Sequence, residues 1–444
     1  MNQEPLGVSV ALKENVFTRD GLFLLISTFL NSIPVGYINV VPLVYLAEIG
    51  YDPSAIGVIY SASAVATTVG LIPCGLLADR YGKKMLLIVG TFLPVVSYAI
   101  FGLTLDPSLL TIASLIGGVG FAGGLGAAVA SPSLFPLLAS STSKNKRSTI
   151  FGVLYGAWAI ALTIGSALSF LPNLLSNVFD LSERTAHFDS YFVMSGVAAA
   201  ALLPILFVNE QTSRNDCDAT SRINSCVPGL GKEKPTGQPR SLTFDATSRL
   251  GILRFSFIFA LTGFGLGVLV QLLPTWFNLR YGASETTIGF WMAISNLATI
   301  VSIPLIPRLV GRRGDIFVAA TTGILASLLL GLMAISADFE MAATLFAVRS
   351  VVLGISWAVV ISYMMSVVNE NQRGTAVGFT YTSWGVGLSL GTFIGGELFG
   401  AGLLTLPFIA AVISYLSSSV ALWFFFRKAN PPEAVTQLVP RISE

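Results

Sequence analysis

The chain has 444 residues, of which 53% are hydrophobic and only 11% charged, and its formal net charge is +2. A soluble domain carries about 25% charged residues, so this composition excludes a polar skin around a soluble core and points to lipid as the solvent. The single His187 and the three cysteines, Cys74, Cys217 and Cys226, suit neither a metal cluster nor a disulfide framework, and the polar first twenty residues lack the apolar core of a secretory signal.

A helix that crosses a bilayer needs roughly 20 apolar residues. Such runs fall at 21–46, 54–78, 85–105, 108–138, 148–172 and 189–208, and again at 252–278, 285–307, 315–337, 340–367, 374–400 and 403–427. Period-two alternation is missing over any useful length, which argues against a membrane β-barrel. The expected fold is all-α, with 12 transmembrane helices in two pseudo-symmetric halves. The domain plan is a tail at 1–20, a six-helix bundle at 21–208, a polar linker at 209–251, a second bundle at 252–427 and a tail at 428–444.

Twelve spans put both termini on one side. That side receives the tails, the linker, "DRYGKK" (79–84), "KNKR" (144–147), "GRR" (311–313) and Arg373, whereas the opposite loops hold only Arg184 and Arg280. The positive-inside rule then makes the terminal side cytoplasmic, and a multi-pass protein of the cell membrane is expected. His187 falls in a polar stretch of an opposite loop and is read as solvated. Cys217 and Cys226 fall in the cytoplasmic linker, where reduced thiols are expected.

The halves resemble each other. At an offset of 226, Arg147, Thr149, Gly152, Tyr155, Trp158, Leu162 and Gly165 meet Arg373, Thr375, Gly378, Tyr381, Trp384, Leu388 and Gly391. At an offset of 232, Pro42, Gly50, Ile56 and Gly57 meet Pro274, Gly282, Ile288 and Gly289. Transporters built from repeats bind substrate at the repeat interface near the bilayer midplane.

"GLLADRYGKK" (75–84) follows the second run. Gly75, Asp79, Arg80, Gly82, Lys83 and Lys84 fit the fixed places of G-x-x-x-D-R-x-G-R/K-R/K, and on these residues the chain resembles the major facilitator superfamily, twelve-helix type. The resemblance implies alternating access and a gating role for this loop, which would lock the halves together on the cytoplasmic side. Asp79 would then face the start of run 11 near Gly374, where a carboxylate meets a positive helix end worth about 0.3–1 kcal/mol. "PLIPRLVGRR" (304–313) reads as a degraded second copy. It keeps Gly311, Arg312 and Arg313 but has Pro304 for the first glycine, Arg308 for the acid and Leu309 for the arginine.

Other members carry a membrane arginine in helix 4, which this chain lacks. Proton-coupled drug exporters of the superfamily add a glycine-proline signature in helix 5. Gly156 and Gly165 fit its spacing, but Ser169 and Phe170 stand where the Gly-Pro belongs.

Several polar residues interrupt apolar runs. Arg349 lies about nine residues into run 10, about 13 Å deep, where an unpaired charge costs several kcal/mol. It either lines the cavity and holds an anionic group, or snorkels or ties helices together. Asn39 and Gln271 are equivalent at the 232 offset, and Asn31 precedes Pro34. These amides either contact substrate or make interhelical hydrogen bonds, worth about 0.6 kcal/mol. Tyr155 with Trp158, and Tyr381 with Trp384, share a helix face at i, i+3 and serve as aromatic walls or simply pack. Glycines in runs 5 and 11 permit close helix contact. Glu397, near the outer end of run 11, is the candidate for proton coupling, or else an interface residue.

The expected function is secondary active transport of a small molecule. Export of amphipathic, drug-like compounds is set ahead of uptake of a small organic anion. A solute sensor that does not transport is a further reading. An enzyme is not expected, because His, Cys and paired intramembrane acids are too few. The expected partners are a small-molecule substrate and the lipid bilayer, without nucleic acid, for a monomer. No cofactor is expected beyond an ion gradient, taken as H+.

Overall fold

The computed structural model describes residues 18–140, 147–208, 246–368 and 373–427. The tails, most of the linker and much of "KNKR" lie outside the described residues. Every predicted run is mainly helical where it is described. The first half comprises α1 (Arg19–Ile38), α2 (Val41–Glu48), α3 (Pro53–Tyr81), α4 (Lys83–Phe101), α5 (Pro107–Gly117), α6 (Gly124–Ser140), α7 (Arg147–Ala167), α8 (Leu171–Phe179), α9 (Glu183–Ala200) and α10 (Leu202–Leu206). The second comprises α11 (Ala246–Val268), α12 (Leu273–Tyr281), α13 (Glu285–Val301), α14 (Leu305–Arg313), α15 (Asp315–Ala334), α16 (Phe339–Val367), α17 (Arg373–Gly400) and α18 (Leu406–Phe426).

Among the described residues, nine helical spans are long and apolar enough to cross a membrane, and α13 with α14, bent by 46°, makes a tenth. The remaining apolar helices are the short α5 and α6 and the 28-residue α17, which is rich in Gly, Ser and Thr.

Side-chain caps fix where five of the six even-numbered runs begin, all on the face opposite the start of α1 and the end of α18. Asp52, Asp106, Ser182, Ser284 and Asp338 each accept a hydrogen bond from a first-turn N–H, which satisfies a donor the helix itself cannot. The cap at Ser182 corrects the sequence reading of run 6. The helix starts at Glu183 rather than near 189, so His187 is helical and buried, not solvated.

Several runs are broken where the sequence reads as continuous. Run 1 breaks after Asn39 and run 7 at Leu269–Leu272, each followed by a proline in the first turn of the next piece. Proline there sacrifices no helical N–H. Run 4 breaks between Gly117 and Gly124, where Gly118, Gly120, Gly123 and Gly124 take positive φ.

The signature loop turns on Gly82, whose φ of 97° and ψ of 142° end α3 and start α4. Gly314 has φ 80° and ψ 156° between α14 and α15. It is therefore Gly314, 232 residues on, that matches Gly82. This corrects the alignment that put Gly311 there and restores the offset of runs 1–2 against 7–8. A side chain in either conformation would be strained.

Within the first half α1 packs on α7, and α6 on α3 and α4; within the second α11 packs on α17, and α15 on α16 and α18. Across the halves α3 packs on α17 and α7 on α13. The apolar core follows this plan. Away from the termini one cluster joins both halves, with Val44 and Ile56 beside Leu273 and Trp276. Toward the terminal face it divides into two clusters, one around Phe255 and Tyr363 in the second half, the other around Leu24 and Leu138 in the first.

Candidate functional site

Between the halves lies a cavity of about 300 Å³, at the low end of the roughly 300–1,000 Å³ usual for small-molecule sites. Its walls are mostly apolar. Five of the residues singled out in the sequence line it: Asn39, Gln271, Arg349, Trp158 and Trp384.

Arg349 is 2% exposed. Its guanidinium carbon lies 5.0 Å from the Tyr415 ring centroid and 5.9 Å from that of Phe346, so aromatic faces shelter the charge. Nε and Nη2 are buried without a hydrogen-bond partner, and among the described residues no carboxylate pairs with this charge. Gln271 sits in the break of run 7. Its Oε1 accepts the Phe121 N–H at 3.2 Å, while Nε2 has no partner. Asn39, at the matching break of run 1, leaves Oδ1 unpartnered. Helix breaks thus deliver both amides to the cavity, at positions that the 232 offset relates.

The structure adds residues that the sequence reading did not single out. Asn296 Nδ2 donates to Ser166 Oγ at 3.2 Å, joining α13 to α7 at the cavity wall. Trp357 lies with its ring centroid 6.5 Å from that of Trp384. Asn296 carried a legible signal, being an amide inside an apolar run like Asn39. Trp357 carried none beyond its residue type.

The other candidates lie elsewhere. Tyr381 packs behind Trp384 against Phe259, with centroids 6.0 Å apart. Asn31 lines a separate void of about 80 Å³ between α1, α4 and the broken run 4. Glu397 is on the exposed surface of α17 near the opposite face, outside the cavity. Of the signature residues, Lys84 Nζ donates to the Leu206 carbonyl at 2.8 Å, a cap on α10, and Arg80 lies over the Tyr81 ring. Gly75 would meet only Pro132, at 3.9 Å, if it bore a Cβ. The Asp79 side chain and its expected contact at Gly374 lie outside the described residues.

The cavity is roofed on the face opposite the termini. Besides Gln271 with Phe121, Thr275 Oγ1 donates to the Leu43 carbonyl at 2.8 Å, Asn278 Nδ2 to Glu48 Oε1 at 3.1 Å, and Asn173 Nδ2 to Thr286 Oγ1 at 3.1 Å. His187 Nε2 meets Glu285 Oε2 at 3.1 Å with both side chains buried. Each of these joins one half to the other. Toward the terminal face exposure rises along one side of α7, from Ser166 at 2% and Leu162 at 5% to Trp158 at 40% and Tyr155 at 55%. Together with the divided core, this gives a cavity closed above and open toward the termini.

A family model described as the MFS_1 like family matches residues 22–410. The chain belongs to the major facilitator superfamily. Similar sequences include the uncharacterized MFS-type transporter MJ1560 of Methanocaldococcus jannaschii, 21% identical over 392 residues that cover 88% of this chain and 91% of that protein. Multidrug resistance protein 1 of Bacillus subtilis is 22% identical over 401 residues, covering 90% and 94%. Among solved structures, the nucleoside transporter NupG aligns with a TM-score of 0.65 at 16% identity, over 93% of this chain and 99% of its own. An auto-inhibited POT family peptide transporter aligns with a TM-score of 0.65 at 14% identity, over 96% and 99%. The fold of this major facilitator is thus that of multi-span membrane transporters.

Proposed function

We propose that this major facilitator is a secondary transporter, not an enzyme, and that it carries a small amphipathic organic anion by alternating access. The observation that carries the reading is Arg349: a buried guanidinium with two unpartnered nitrogens at the wall of a mostly apolar cavity. A charge held there needs a counter-charge, and a solute carboxylate or similar group supplies it. Gln271 Nε2 and Asn39 Oδ1 offer a donor and an acceptor to the polar part of the solute. Trp158, Trp357 and Trp384 offer flat apolar surface to the rest. Export across the plasma membrane, with both termini cytoplasmic, is the direction we favour, because one relative is named a multidrug resistance protein and the aromatic lining suits amphipathic compounds. Uptake of the same anion would use the same pocket, and the sign of flux separates the two.

The test pairs amphipathic aryl carboxylates with their neutral methyl esters. Binding is measured as thermal stabilisation of purified protein, and flux in proteoliposomes. Acids should bind better than esters. Arg349→Ala should weaken acid binding about 10- to 100-fold, the worth of a charge-assisted hydrogen bond of about 1.5–3 kcal/mol. Arg349→Lys, which keeps the charge without the fork, should fall between. Equal binding of acid and ester by the wild type would remove the anionic solute. Binding without flux would favour a sensor.

A further inference from the structure

The buried pair His187–Glu285 has no part in the cavity, yet it joins the two halves in the roof. Its hydrogen bonds fix its proton content. His187 Nδ1 lies 2.8 Å from the Glu183 carbonyl oxygen, and Nε2 lies 3.1 Å from Glu285 Oε2. A carbonyl oxygen only accepts, so Nδ1 carries a proton. The second contact then needs a further proton, either on Nε2 facing a carboxylate or on the carboxyl facing a neutral Nε2. Both forms have the same overall charge, zero. With that proton gone, a ring lone pair faces a carboxylate anion, and the contact turns repulsive in a site with little water to screen it.

We propose that His187 and Glu285 form a proton-binding site, and that the one proton they share is required for the halves to meet on the face opposite the termini. The proposal rests on the alternating-access reading. The proton comes from water on that face as it closes, and it returns there as the face opens. The surroundings favour its retention. The Tyr45 ring stacks on His187 with centroids 3.7 Å apart and planes within 14°, which suits a cationic ring. The charged and titratable groups around the pair are Glu48 and Tyr45 on α2, Tyr37 on α1, and Glu183, Arg184 and Tyr191 on α9. Two of these are carboxylates and one is a cation, so a bare Glu285 anion would be pushed apart from like charge. Closing binds the proton more tightly than opening does, and low pH therefore favours the closed roof.

Spin labels at Leu103→Cys and Ile335→Cys, both exposed on that face in different halves, report the closure in full-length protein whose native cysteines are replaced. Distances are measured by pulsed electron resonance from about pH 4.5 to about pH 9, which brackets histidine and carboxyl titration. The closed distance should dominate at low pH and lose at least half its amplitude as pH rises. In Glu285→Gln the amide donates to a neutral Nε2 without any added proton, so the closed distance should persist throughout. A wild-type balance of two distances that ignores pH overturns the proton site and leaves the transport reading standing. A single distance at every pH overturns both. A Glu285→Gln titration equal to that of the wild type also overturns the site, and if that variant does not fold, the wild-type titration decides alone.

Discussion

Gln271 owes its position to a residue in the other half. Gly120 has φ of 76°, and a Cβ placed on it would overlap Gln271 Nε2. Gly50 has φ of 86° with nothing within 4 Å of such a Cβ. Alanine at Gly50 therefore meets backbone strain alone, about 1–2 kcal/mol, while alanine at Gly120 meets strain plus a clash with the roof. Gly120→Ala should lower the thermal midpoint more than Gly50→Ala and raise the reactivity of a cysteine beneath the roof at Val270. Equal midpoints would mean that the Gln271 amide swings aside at little cost. Sequence alone gave access to Arg349, Asn39 and Gln271, because a charge or amide within an apolar run has few innocent places to go. It gave no access to His187. "ERTAHFDSY" is polar enough to read as loop, and the partner that makes its burial tolerable, Glu285, stands 98 residues away.

Along α17 the glycines change their surroundings with depth. A Cβ on Gly387, Gly391 or Gly395 would run into backbone carbonyls of α11, whereas one on Gly378 would meet nothing within 4 Å. α7 repeats the pattern, with Gly165 pressed on α1 and Gly152 and Gly156 open. Close approach between small residues is what holds helices together where lipid offers no hydrophobic gain. Gly391→Ala should then cost stability and folded yield, while Gly378→Ala should be neutral or gain up to about 1 kcal/mol from better helix propensity. Thermal midpoints of the two purified variants check this, and a larger loss at Gly378 would contradict the depth gradient. The helices themselves were legible as apolar runs, and their repeat as two offsets. The breaks were not, since hydropathy runs on unbroken through residues 118–123 while the backbone leaves the helix there on positive-φ glycines.

The two halves touch along α3–α17 and α7–α13, and the roof bonds gather at one end of those contacts. A body hinged this way needs the roof to part before the cavity can meet the other compartment. Which face is closed could not be read from the sequence, because both halves carry the same apolar runs at both ends and only the packing distinguishes them. Asn173 on α8 and Thr286 on α13 are linked directly, Nδ2 to Oγ1 at 3.1 Å, in the part of the roof that does not line the cavity. Cysteines at both positions, joined by oxidation or by a short bifunctional thiol reagent, should tie the roof shut. Solute binding from the terminal face should survive, because the cavity opens there through Tyr155 and Trp158. Net flux should fall to background, and reduction of the disulfide should restore it. Each single cysteine should transport normally under the same oxidation. If the joined protein moves solute at the uncrosslinked rate, the halves do not part at this face, and the route of the solute lies elsewhere.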